Sequence, residues 1–484
     1  MSDLAFRSAT DLAAALRRKE IGALELLEHY LARVERHDAA LNAVVVRDFD
    51  RARERAKAAD AARARGEDWG PLHGVPMTVK ESYNVAGLPT TWGVPEMKGN
   101  IARSNALAVD RMLGAGATIF GKTNVPYLLS DLQSYNAIYG TTNNPWDLSR
   151  GPGGSSGGSA AALASGMTGL EIGSDIGGSI RNPAHFCGVY GHKPTWGILS
   201  PRGHALADVI SPTDISVVGP LARSIEDLML AVELMTARDP LDAPGLKVDL
   251  PAPRTRALKE MKVGVWRTDP IMPVGAEVAA RLDHVVQAAR AAGAEVIEIE
   301  RPPFDVAEAW AIYQFLLFAV LLSRQPDARY AELVKQAEAL DPNDNSDRAI
   351  MLRGGTCRYR DWAIHNERRA RLRAHWAEFF GKVDVLLAPI CVVPAFPHQQ
   401  EGEPADRTLD VDGKAQSYWR HIFWAGITGV ALLPSTVFPA GLTPGGLPVG
   451  IQAIGPEYGD RMCLEFARAI GQVIGGFQPP PGYD

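Results

Sequence analysis

The sequence predicts an α/β fold: a large mixed β-sheet sandwiched between helices, with a helical cap-like insertion. Three observations predict it. From about residue 72, short β-rich runs alternate with helices of small residues, the pattern of a mixed or parallel sheet flanked by helices. MKVGVWR (261–267) and AEVIEIE (294–300) flank an Ala-rich helix, a β-α-β unit. A helical, aromatic-rich stretch at 303–382 is followed by a return to strands.

In chain order, residues 1–66 read as helices. Ser8 with Asp11 makes a capping-box-like start, and Leu24, Leu27, Leu31 and Val34 recur at helical spacing. LNAVVV (41–46) is a strand candidate, and the charged helix after it stops at Gly66. GVPMTVKE, a helix near 105–115, and ATIFGKTN open the core, 67–236. Residues 237–260, rich in Pro, Asp and Ala, read as a crossover loop. VDVLLAPI, ALLPSTVFP and PVGIQAIG are late strands within 383–484, closed by a helix at 460–474. With no internal repeat, and with early and late strands expected in one sheet, 1–484 reads as a single domain.

Composition narrows the function. A net charge of −6 spread along the chain argues against nucleic acid or an anionic membrane as partner. Cys187, Cys357, Cys391 and Cys463 are scattered without C-x-x-C spacing, which points to a reducing compartment and to neither a disulfide framework nor a zinc site. The N-terminus lacks the apolar core of a secretory signal, and the longest apolar stretch, AWAIYQFLLFAVLL (309–322), is too short to span a bilayer. The expectation is a cytoplasmic protein without an integral membrane segment.

GPGGSSGGSAAALASG (151–166) looks like a linker, but strong helix formers follow at once, and a second Gly-Gly-Ser turn comes in GSDIGGSIRNPAHFCG (173–188). A linker predicts neither. GGSSG also satisfies the G-x-S-x-G nucleophile elbow, which would make Ser155 the nucleophile of an esterase-like hydrolase; the polar run NPWDLSRGP before it is not the strand that an elbow needs. GATIFGKT (116–123) matches a phosphate loop formally, yet residues 117–120 read as a buried strand where open amides are required.

Amide hydrolysis needs a nucleophile, a base, a proton donor for the departing amine and donors for the oxyanion. Consecutive glycines before Ser179 let backbone amides converge beside its hydroxyl, although a plain tight turn fits the same residues. No histidine has motif-like spacing. Lys80 ends the apolar run of HGVPMTVKESYNVAG, and burial lowers a lysine pKa by several units, although most lysines are simply solvated.

Taken together, VPMTVKE, GKTNVP, PGGSSGGSAAA and GSDIGGSIRNPAHFCGVYGHKPT resemble the amidase signature family over essentially the whole chain, with 75 positions from Lys80 to Ser155 and 24 from Ser155 to Ser179. The resemblance implies that family's fold and a Ser-cisSer-Lys triad. Ser179 is the implied nucleophile, Lys80 the base, and Ser155 the proton relay, following a cis peptide to Gly154. The amides of Ile176, Gly177, Gly178 and Ser179 form the implied oxyanion hole. Asp175 and Arg181 brace the turn, and Ser156 is structural. Neither a metal nor an organic cofactor is required.

Tyr127, where many relatives carry an acidic or amide side chain, is expected to line the acyl pocket with Leu129 and Ser130. Trp419 and Trp424 of SYWRHIFWAG and the apolar helix at 312–322 complete a hydrophobic site. The expected substrate is a small molecule, an amide with a medium-sized apolar or aryl acyl group, with esters or carbamates beside it, and a homodimer is the oligomer to test for. The alternative is the family's glutaminase-type subunit of a tRNA-dependent amidotransferase, whose polar signature is not obvious in LSPRGHALADVISPTDISVVGPL (199–221).

Overall fold

The computed structural model describes residues 4–206 and 209–483. The readings above that touch residues 1–3, 207–208 and 484 lie there outside the described residues.

Eight strands form the main sheet, in the spatial order Glu295–Glu298, Lys262–Val265, Val385–Pro389, Pro448–Ile454, Ser435–Leu442, Tyr190–Lys193, Val217–Ala222 and Glu171–Asp175. The first three run parallel and the rest pair antiparallel, so the sheet is mixed. Strand Val385–Pro389 shows why both faces are covered. Val385 and Leu387 point into one apolar cluster, with helices Ile225–Met235, Ala276–Ala291 and Asp460–Ile474, while Leu386 and Ala388 point into a second, with Val306–Leu322, Tyr359–Phe380 and Phe423–Gly429. Successive strand residues face opposite sides, so an unbroken apolar run has two apolar faces to bury.

The β-α-β unit forms as expected, with Lys262–Val265 parallel to Glu295–Glu298 across helix Ala276–Ala291. Ser8 caps helix Ala9–Arg17 by accepting the Asp11 N–H. The 303–382 stretch is made of helices Val306–Leu322, Asp327–Glu338, Asp347–Gly355 and Tyr359–Phe380. Among the described residues no helix is long and apolar enough to cross a membrane.

One expectation is corrected. The earliest strands do not join the main sheet. Val44–Arg47, Thr118–Thr123 and Pro76–Lys80 form a sheet of their own, with Thr118–Thr123 in the middle. Side chains replace the ladder where the two sheets meet. The Thr78 N–H donates to Thr168 Oγ1 at 2.9 Å, and Thr78 Oγ1 donates to the buried Glu171 Oε1 at 2.5 Å. This seam brings the C-terminal end of Pro76–Lys80 against the edge strand Glu171–Asp175.

Candidate active site

Lys80 is the last residue of its strand and is fully buried. Its Nζ lies 2.7 Å from Ser155 Oγ and 2.9 Å from Ser174 Oγ. Burial pushes its amine down from 10.5 to about 7, against a smaller upward pull from the carboxylates of Asp175 and Glu171. The physical cause is desolvation, which penalises a buried ammonium whose hydrogen-bond partners are hydroxyls. At neutral pH a large share of the amine is therefore uncharged, with a lone pair beside a hydroxyl.

Ser155 stands at the mouth of helix Gly157–Ala164, and the Gly154–Ser155 peptide is cis. Glycine is required before it by close approach: a Cβ on Gly154 would lie 2.4 Å from the Asp131 carbonyl oxygen and 2.7 Å from the Gln133 nitrogen. The Gly154 N–H donates to Asn182 Oδ1 at 3.2 Å. Among the described residues no strand lies between Thr141 and Gly157, only loop, so the elbow geometry considered for Ser155 does not form. The segment 116–123 is likewise a buried strand at Thr118–Thr123, which disposes of the phosphate loop.

Ser179 follows the edge strand Glu171–Asp175 on a turn and is 7% exposed, while Ile176 and Gly177 are partly open. The Ser156 N–H donates to the Ser179 carbonyl at 3.1 Å, so the two serine segments touch through backbone. Their hydroxyls, Ser155 Oγ and Ser179 Oγ, are not hydrogen bonded to each other. Ser156 Oγ lies 3.4 Å from the Ser174 carbonyl, facing the strand and not Lys80.

Asp175 organises the turn. It accepts from the amides of Gly178 at 2.9 Å, Ile180 at 3.1 Å and Arg181 at 3.3 Å, and pairs with the Arg181 guanidinium at 3.0 Å. Burial raises its carboxyl, but the charge and hydrogen bonds of Arg181, the charge of Lys193 and the Gly178 amide together outweigh burial and hold it at about 2. Gly178, at φ +104°, has the left-handed backbone that glycine tolerates best. Its N–H is engaged by Asp175, so of the four expected oxyanion donors Gly178 is withdrawn, leaving Ile176, Gly177 and Ser179.

Arg181 also reaches Thr428, Gln452 and the Ala425 carbonyl, linking the turn to helix Phe423–Gly429 and strand Pro448–Ile454. Arg181→Ala should therefore cost about 3–5 kcal/mol, because it strands a buried carboxylate. The measurement is the denaturant midpoint, and a shift worth less than about 1 kcal/mol would count against the brace.

The expected pocket residues separate. Tyr127 and Leu129 lie on the 3-10 turn Tyr127–Leu129, with Ser130 next; Tyr127 is 52% exposed, and the turn packs on Trp92 and Gly93. Trp419 is half-buried, stacked on Phe318 with ring centres 5.1 Å apart. Trp424 is corrected: it is wholly buried, its indole N–H donates to the Met272 carbonyl, and it packs against Trp266 and Phe423, in the core and not on a pocket wall. Three neighbours were not singled out from sequence. Ser174 sits within the quoted motif and was legible as a polar residue one position before Asp175. Asn182 carries no sequence signal for its contact, and Tyr313 falls within the apolar helix expected at 312–322 without being named there.

The amidase family model matches residues 25–464. The chain belongs to the amidase signature family. This family member is 33% identical, over 97% of both chains, to a glutamyl-tRNA(Gln) amidotransferase subunit from Anaeromyxobacter sp. (strain K). It is 34% identical to an indoleacetamide hydrolase from Bradyrhizobium diazoefficiens, over 97% of this chain and 86% of the hydrolase. Among solved structures, a chain of a vestigial complex bearing on the origins of an s-triazine catabolic enzyme superposes with a TM-score of 0.81 at 27% identity, covering 98% of this chain and 100% of that one. A bacterial aryl acylamidase shares the fold at a TM-score of 0.80 and 24% identity, over 97% and 96%. Membership supports amide hydrolysis as the general chemistry of this amidase-family protein.

Proposed function

We propose that this protein hydrolyses a carboxylic acid amide with a medium-sized apolar or aryl acyl group, to acid plus amine or ammonia, through an acyl-Ser179 intermediate. The observation that carries the reading is the buried amine of Lys80, 2.7 Å from Ser155 Oγ. Neutral Lys80 takes the Ser155 proton, and Ser155 takes the Ser179 proton as Ser179 attacks the carbonyl. The amides of Ile176, Gly177 and Ser179 receive the oxyanion. Ser155 then gives its proton to the departing amine and is reprotonated by Lys80. Water releases the acid by the reverse relay.

An apolar acyl group is supported by what borders the turn. A Cβ built on Gly177 would lie 3.1 Å from the Tyr313 hydroxyl and 3.9 Å from Ile422, and one on Gly178 would lie 3.1 Å from Ala425. The two arginines near the turn are already paired, Arg181 with Asp175 and Arg420 with Asp347. A glutamine side-chain amide would bring an ammonium and a carboxylate that need counter-charges. The likeness to the amidotransferase component over 97% of both chains favours a second reading, the glutaminase part of such an assembly.

A panel of aryl anilides, aliphatic amides, carbamates and glutamine separates the two, with the acyl adduct trapped and mapped. The chain alone should turn over aryl or apolar amides at least about tenfold faster than glutamine. Glutaminase activity that appears only on adding amidotransferase partner subunits would replace the first reading with the second.

A further inference from the structure

We infer that Tyr313 is a positioning residue that sets the direction of the Gly177 N–H in the oxyanion turn; this rests on the amidase reading above. Tyr313 lies 137 positions from Ile176 in sequence, on helix Val306–Leu322, and its hydroxyl donates to the Ile176 carbonyl at 3.0 Å. The peptide that follows that carbonyl is trans. In a planar trans peptide the C=O and N–H point in opposite directions, so anchoring the Ile176 oxygen fixes the orientation of the Gly177 N–H away from the phenol. Ile176 and Gly177 are the partly open residues of the turn, where a carbonyl oxygen of a substrate can approach.

The phenol is held firmly enough to do this. Its ring is fully buried and lies against Gly426, where an added Cβ would sit 2.1 Å from Tyr313 Cε1. Trp310 packs beside it at 5.6 Å between ring centres. Burial and the nearby Asp175 push its hydroxyl well above the ordinary tyrosine value, so it remains a donor throughout the working pH range. Asp175 holds the other end of the same turn through Gly178, Ile180 and Arg181. The Ile176–Gly177 peptide is therefore held at its own carbonyl by the phenol, and the backbone that follows it is held by the Asp175 carboxylate. Preorganised amides matter because the oxyanion develops in the transition state and tetrahedral intermediate and not in the bound substrate, so a loosened donor lowers the rate more than it weakens substrate binding.

The test is Tyr313→Phe, with Tyr313→Met as a second side chain of similar length lacking the donor. Both are measured against the wild-type protein on its best amide from the panel. The expected result is a fall in kcat of about tenfold with KM within about twofold, and no displacement of the acidic limb of the pH profile. Inhibition by a boronic acid that adds to Ser179 should weaken by a similar factor, while the carboxylate product inhibits as before. A kcat within about twofold of wild type in a folded variant overturns the inference and leaves the amidase reading standing. So does a raised KM with unchanged kcat, which would make Tyr313 a pocket wall only. A wild-type protein that hydrolyses no amide and takes no boronate overturns the amidase reading, and the inference falls with it.

Discussion

Ser179→Ala is expected to lower amide hydrolysis by about 10⁴- to 10⁶-fold, the scale on which loss of a nucleophile acts when the rest of its relay survives. Mass spectrometry of protein quenched during turnover should find the acyl group on Ser179 in the wild type and nowhere in the variant. The fold should be unaffected, since the hydroxyl of Ser179 holds no element in place; the bonds that shape the turn run to Asp175 and through the Ser179 carbonyl. Ser155→Ala supplies the contrast. It removes the group bonded to Lys80 Nζ while leaving Ser179, so acylation should slow severely without moving the site of labelling. An adduct mapped to Ser155, with Ser179→Ala fully active, would sink the assignment and hand the chemistry to the other serine.

The second large effect is on pH. A base must be unprotonated to act, and burial brings the Lys80 amine down to about 7. Its neutral form gains population as pH rises, so kcat/KM should climb with pH, about tenfold per unit at the acidic end, and level off above about 7. Lys80→Ala should lower kcat/KM by about 10²- to 10⁴-fold at neutral pH and abolish that limb. Lys193 is also pushed to about 7 by burial, but its Nζ donates to the Pro194 carbonyl and not to either serine. A limb that persists unchanged in Lys80→Ala would show that another group is responsible.

Much of the fold follows from local pattern. The unbroken apolar runs at 385–389 and 448–454 become strands of a sheet covered on both faces, and the Ala-rich segment between 262–265 and 295–298 crosses over as a helix. Where the local pattern misleads, a long-range contact is the reason. The segments 76–80 and 118–123 read like any other strands of the main sheet, yet the Thr78–Thr168 and Thr78–Glu171 bonds replace the ladder with side chains and set them in a separate sheet. Trp424 looks like a pocket aromatic because its neighbours in SYWRHIFWAG are aromatic. Its burial is decided by Trp266 and by the Met272 carbonyl, 152 positions away.

Two Gly-Gly-Ser turns, a lysine ending an apolar strand, and an α/β pattern of strands and helices are all legible along the linear chain. Residue type and spacing suffice for that, because backbone freedom at glycine and the alternation of buried positions are local properties. Which groups meet is settled by folding: Lys80 with Ser155 and Ser174, Gly178 with Asp175, and the Tyr313 hydroxyl with the Ile176 carbonyl. Desolvation and hydrogen bonding depend on what packs around an atom, and those neighbours come from segments that a linear chain keeps far apart.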